Sequence, residues 1–121
     1  MMLTLPWPPS VNRYWRLARG RLYLGRAGRD FRAAVAAQVH ESVKPQAMFK
    51  TTERLAIVIQ AYPPDKRRRD LDNLLKATLD SLEHAGVFPD DEQLDRIFIQ
   101  RNNVRRGGEL EVSIGSIRQS H

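Results

Sequence analysis

Asp70 and Asp72 stand two residues apart, Lys76 follows about one helical turn later, and Asp91 comes 15 residues after Lys76. The run Lys66-Arg67-Arg68-Arg69 lies directly ahead of the first carboxylate. Acids set against a basic run conflict over a polyanionic ligand unless a divalent cation stands between carboxylate and phosphate. The chain has no cysteine, so thiolate ligation is excluded and any metal must take oxygen or imidazole donors. Aspartates select a hard cation, Mg²⁺ with Mn²⁺ as the alternative, and such an ion activates water against a phosphodiester. On this reading Asp70, Asp72 and Asp91 are the ligands. Lys76 neutralises charge building on the scissile phosphate or orients the water.

A plainer account competes. Asp70 suits a helix N-cap, Asp72 is favoured by the helix dipole, and Asp72 with Lys76 is an i, i+4 ion pair worth roughly 0.3–0.5 kcal/mol. That account leaves four cations outside the helix start without a purpose. The metal reading has its own requirement: the fold must lay the turn or strand carrying Asp91 alongside the helix start.

The rest of the chain supplies the charge. The formal net charge is +6, and the whole excess lies in the first 40 residues, where Arg13, Arg16, Arg19, Arg21, Arg26, Arg29 and Arg32 face only Asp30. Guanidinium forks match phosphate geometry, so a polyanionic partner is implied. Tyr14-Trp15 between Arg13 and Arg16 could stack on exposed bases while the arginines hold phosphates; core packing competes for Trp15 and is the preferred reading for Trp7. Arg101, Arg105 and Arg106 either extend the basic surface or belong to a solvated turn. Asp80, Asp90 and Asp95 are expected on solvated turns or faces, and His40, His84 and His121 receive no ligand role. No segment approaches the roughly 18 apolar residues of a membrane span, and no secretory leader is evident, so no membrane partner and a cytoplasmic location are expected.

The elements that must position these residues follow from periodicity. Residues 2–5 read as a short strand closed by Pro6-Trp7-Pro8-Pro9, and Ser10 to Gly25 as an irregular basic loop. Phe31, Val35, Val39 and Val43 predict a helix from about Arg26 to Val43. Arg54 to Tyr62 alternates as a strand, with Leu55, Ile57 and Ile59 on one face and Val58 on the other. A second helix follows Asp70 and stops at Gly86, its apolar arc formed by Leu71, Leu74, Leu75, Thr78, Leu79, Leu82 and Ala85. Strands are expected over roughly Asp95 to Asn102 and, after the Gly107-Gly108 turn, along Leu110, Val112 and Ile114. The order β, α, β, α, β, β over 121 residues predicts a single α/β domain, a small mixed β-sheet packed with two main helices.

Four blocks together resemble the RusA family of Holliday-junction resolvases: Pro6-Trp7-Pro8-Pro9-Ser10-Val11-Asn12-Arg13-Tyr14, then Pro64-Asp65-Lys66-Arg67-Arg68-Arg69-Asp70-Leu71-Asp72-Asn73-Leu74 with Lys76, then Ala85-Gly86 with Asp90-Asp91, then Gly107-Gly108. The resemblance spans nearly the whole chain. It implies a RusA-like fold and a homodimeric, Mg²⁺-dependent endonuclease that cuts two strands of four-way junction DNA symmetrically. It carries the family's essential acids onto Asp70, Asp72 and Asp91, and its essential lysine onto Lys76. The DNA-contacting segments fall on Lys66, Arg67, Arg68, Arg69 and Asn73, and on Asn12, Arg13, Tyr14, Trp15 and Arg16. A two-fold substrate needing paired cuts suits a two-fold protein. Two other readings remain beside it: a non-catalytic, structure-selective DNA-binding protein, and a Mg²⁺ phosphodiesterase acting on another branched nucleic acid.

Overall fold

Leu55, Ile57, Ile59 and Ala61 are all buried while the residues between them are not, so the strand Leu55–Tyr62 turns one face to a core and the other outward. The computed structural model describes residues 1–117; His121 lies outside the described residues. In chain order the elements are β1 (Met2–Pro6), a short helix α1 (Val11–Tyr14), β2 (Trp15–Ala18), β3 (Arg21–Leu24), α2 (Arg26–Ser42), β4 (Leu55–Tyr62), α3 (Leu75–His84), β5 (Leu94–Arg101) and β6 (Glu109–Ser116). Four strands form one mixed sheet in the order β1-β6-β4-β5. β1 and β4 flank β6 antiparallel, and β5 runs parallel to β4.

The inner face is continuous across three strands: Leu3 and Leu5, then Leu110, Val112 and Ile114, then the β4 set. Phe31, Val35 and Val39 of α2 and Leu74, Ala77 and Leu82 on and ahead of α3 close over it, with Val87 and Phe88 sealing one end. This is the two-layer mixed α/β domain expected. The four-residue spacing that predicted α2 marks its buried stripe, and Val43 just beyond the helix is also buried.

Three local expectations need correction. Ser10 to Gly25 is not irregular: it holds α1 and a two-stranded hairpin, β2 with β3. Arg19 and Gly20 at its tip have φ of 52° and 74°, the mirror-image turn whose twist matches paired strands. The second predicted helix begins as a 3-10 turn, Leu71–Leu74, and becomes α-helical only at Leu75. Its buried arc is also rotated. Ala77 and Ser81 are fully buried while Leu71, Leu75 and Leu79 are only partly so, because small side chains are what let this face approach its neighbours closely.

The path from β4 through α3 to β5 is a parallel crossover, so α3 runs back toward the start of β4 before β5 begins. No helix among the described residues is long and apolar enough to cross a membrane.

Candidate active site

Asp70 is extended (φ −90°, ψ 134°) immediately ahead of the 3-10 turn, and its side chain accepts no capping hydrogen bond. Asp72 lies exposed within that turn. Among the described residues no salt bridge joins Asp72 to Lys76. Neither the capping bond nor the ion pair of the plainer account is made, and both carboxylates are left to other uses.

Asp70 and Asn73 line a cleft of about 540 Å³ with Trp7, Pro8, Pro9, Ser10, Arg68 and Arg69. The proline-rich block after β1 and the basic block before α3 thus form opposite walls. Gly108 makes their approach possible: at φ +70° a Cβ there would stand 2.9 Å from both Pro64 Cδ and Trp7 Cβ.

The basic run divides by role. Arg69 is a strut: its guanidinium pairs with Asp65 at 2.7 Å and sits 5.8 Å from the centroid of the Trp7 ring. Asp65 also accepts the Arg67 backbone N–H at 2.9 Å, closing a local turn. The Arg69 guanidinium first, and the Arg67 N–H second, hold the Asp65 carboxyl down to about 2, so this turn stays charged at any working pH. Lys66 and Arg68 are exposed with no ion-pair partner among the described residues, and Arg67 reaches Asp65 only at 3.8 Å.

Lys76 opens onto a second cleft, about 510 Å³, shared with Val11, Asn12, Trp15, Arg16, Leu17 and Leu22. Four of the residues expected to meet the substrate, Asn12, Trp15, Arg16 and Lys76, are therefore brought to one place. The segment Pro8 to Asn12 runs between the two clefts.

Tyr14 does not join them. It is fully buried, and its hydroxyl donates to Asp80 and lies 3.4 Å from Ser81 Oγ. A ring with no exposed face cannot stack on a base, so Tyr14 is corrected to a core residue that anchors α1 to α3. Burial first, and the Asp80 hydrogen bond next, raise its pKa and keep the phenol protonated as a donor. Asp80 is likewise no solvated acid. It accepts from Arg32 Nη2 at 2.6 Å and Nε at 3.1 Å, with both side chains about one-fifth exposed. Asp80→Ala should leave the Arg32 guanidinium with only the Tyr14 oxygen, 3.1 Å from Nε, and the Tyr14 hydroxyl with only Ser81, and lower unfolding stability by about 1–3 kcal/mol, measurable by denaturant titration.

Other charges turn out to be committed. Asp95 pairs with Arg54 at 2.5 Å. Arg105 lies 3.4 Å from the Tyr62 ring centroid and bonds Glu109 and, at 2.8 Å, Glu111, while Arg101 donates to the Arg69 carbonyl. Only Arg106 of that group remains exposed and unpaired among the described residues.

Asp91 is where the one-chain site fails. β5 starts beside the start of β4, with Leu94 paired to Leu55, so Asp91 lies at that end. Asp70 lies past the other end, where Arg101 closes β5 against Arg69. An eight-residue strand spans about 25 Å and a ten-residue helix about 15 Å, so one chain does not bring Asp91 to Asp70 and Asp72. The neighbours of Asp91 are instead Glu83 and Asp90, whose carboxylate oxygens and its own lie within 4.8 Å of one another. Glu83 accepts the Asp91 N–H at 2.8 Å and Asp90 accepts the Glu92 N–H at 2.9 Å as the cap of the 3-10 turn Asp91–Gln93. The Asp91 carboxylate has no donor among the described residues. Glu83 was not singled out from sequence, and Asp90 was taken for a plain turn residue; Glu83 in the last turn of a helix that ends just before Asp90-Asp91 was the available signal.

β5 is one of the two edge strands of the sheet, β1 being the other, and nothing among the described residues pairs with its free edge. Ile97 and Phe98 at its midpoint are 46% and 54% exposed, one on each face.

Comparison with known proteins places these features. A family model described as endodeoxyribonuclease RusA matches residues 6–115. A protein of Enterobacteria phage HK97 named crossover junction endodeoxyribonuclease rusA is 44% identical over 110 residues, covering 91% of this chain and 89% of its own. The similarly named protein of Enterobacteria phage 82 is 41% identical over 112 residues, 93% of this chain and 91% of its own. The Escherichia coli K12 protein of that name is 40% identical over 112 residues, with the same coverage.

Proposed function

This chain belongs to the RusA family of endodeoxyribonucleases, and from that premise we propose a homodimer, using Mg²⁺ or Mn²⁺, whose two active centres are each built from two chains. The protein is a crossover junction endodeoxyribonuclease: it hydrolyses DNA strands at four-way junctions. It acts in the cytoplasm, where that substrate lies.

The observation that carries the dimeric centre is the position of the acids at opposite ends of a strand with an open edge. Antiparallel pairing of two β5 edges sets the start of each strand beside the finish of the other. Asp91 of the partner subunit then comes to the end where Asp70 and Asp72 lie. A long uncovered edge with apolar residues at its midpoint is the kind of surface that pairing covers. The donor set fits a hard cation: three carboxylates, none taken up by a cap or an ion pair among the described residues.

When bound, the ion supplies Lewis acidity toward the phosphate and lowers the pKa of water. The protein's own groups do the rest. Lys66, Arg67 and Arg68 hold phosphates along the rim of the Asp70 cleft while Arg69 keeps the wall in place. Lys76 brings an ammonium to the strand being cut, and Asn73 and Asn12 offer amide donors to its backbone. Two such centres related by a two-fold axis make the paired cuts a junction requires.

A panel of labelled four-way junction, duplex, flap and single strand, each with Mg²⁺, Ca²⁺ or EDTA, tests the reading. Junctions should be cut in Mg²⁺ alone, symmetrically, and binding should weaken steeply between low and physiological salt as arginine and lysine contacts give way to counterions. Equal cutting of flap or duplex would overturn the substrate assignment, and cutting in EDTA the metal.

A further inference from the structure

The hairpin of β2 and β3 carries an apolar rung that the fold does not use. Trp15 and Leu24 pair across its base and pack against the core. One rung further out on the same face, Leu17 pairs with Leu22, and these two are 71% and 69% exposed. They line the same cleft as Lys76, Asn12 and Arg16. Arg16 and Arg21 sit on the opposite face and Arg19 at the tip, and together with Arg13 none of them has an ion-pair partner among the described residues.

Two leucines held open to water beside a lysine of the candidate centre are a poor surface for solubility. Ringed by free guanidinium groups they fit one partner: a nucleic acid whose phosphates meet the arginines and whose bases meet the leucines. Intact duplex hides its bases, whereas apolar side chains gain by entering a step that is open or easily unstacked. We propose that the hairpin is a wedge that inserts the Leu17–Leu22 rung between bases at the branch point, while Arg16, Arg19 and Arg21 hold the flanking phosphates. The inference rests on the junction-cutting reading above and adds to it the element that opens the strand beside Lys76. The two-residue turn and the packed base make the hairpin stiff enough to push, since Gly25 and Gly28 seat its root against α1 with a Cβ at either position falling 2.5–2.7 Å from the Tyr14 or Arg13 carbonyl.

The test places 2-aminopurine at the crossover of a four-way junction and follows its fluorescence on binding in Ca²⁺, where bases can open without cutting. Wild-type protein should give a large rise. Leu17→Ser with Leu22→Ser should lose most of that rise and bind about tenfold more weakly, with an unchanged melting temperature and an unchanged mass by light scattering. A double variant that gives the wild-type rise would overturn the wedge. So would a variant that falls to half the mass, which would make the rung a contact between chains. Wild-type protein that neither binds nor cuts junctions would instead strike at the functional reading itself.

Discussion

Asp72→Asn protein mixed in equal amount with Asp91→Asn protein should cut one strand of a junction at about a quarter of the wild-type rate, although each variant alone is inactive by orders of magnitude. Each substitution keeps the side-chain shape and removes the charge that a hard cation needs. In a centre shared between chains, every mixed dimer holds one intact set, with Asp70 and Asp72 from one chain and Asp91 from the other, and one set altered twice. Random exchange makes half the dimers mixed, which leaves about a quarter of all centres working. Nicks should appear without resolved duplexes, because no mixed dimer can cut both strands. Asp70→Asn mixed with Asp72→Asn should stay inactive, since both changes fall on the same half of the centre. Gel assays of nicked and resolved products read the outcome directly. If the first mixture recovers nothing, the acids act within one chain; an Asp91→Asn protein that cuts by itself would instead remove Asp91 from the chemistry. Each single variant should still bind a junction in metal-free buffer, and more tightly than wild type, having lost one repelling carboxylate.

Lysines at the midpoint of β5 should abolish cutting from a distance. With Ile97→Lys and Phe98→Lys together, an antiparallel pair of β5 strands would bring four like charges to its axis. Light scattering should report a monomer at micromolar concentration, and junction cleavage should fall by orders of magnitude with Asp70, Asp72 and Asp91 untouched. The monomer should remain folded, because both side chains are about half exposed in the single chain and surface changes of this kind shift stability by no more than about 0.5 kcal/mol. A dimeric double-lysine protein with normal activity would place the chain contact elsewhere.

The acids show how far local pattern reaches. Alternation located β4, and the spacing of Phe31, Val35 and Val39 located α2, because burial on one face leaves a period that survives in the sequence. Asp70 and Asp72 were legible as a pair since two residues of extended and turn backbone fix their separation. Asp91 was not, because its place depends on the direction of β5, and no residue near Asp91 encodes that direction. The right-handed parallel crossover would have given the answer had β4 and β5 been read as parallel: whatever follows the crossover helix starts at the far end from whatever precedes it. Tyr14 and Asp80 were misread for a related reason. Each sits in a polar, charged neighbourhood in sequence, and only the meeting of α1, α2 and α3 makes them partners. The hairpin escaped because its strands are four residues long and its turn holds one glycine, leaving a pattern too short to separate from a basic loop.

The close approach at Gly108 has a consequence for how the protein spends conformational freedom. The wall of the Asp70 cleft is made from Trp7, Pro8 and Pro9, pressed against Pro64 through a residue with no side chain. Proline rings and backbone have almost no rotamers left to freeze, so their disorder was surrendered when the chain folded and is not surrendered again when DNA arrives. The arginines of the hairpin are the reverse case, each with several free torsions to lose. On the function proposed above, the cleft is a fixed gauge against which a strand either fits or fails, while the flexible cations adapt to whatever angle the arms of the branch present.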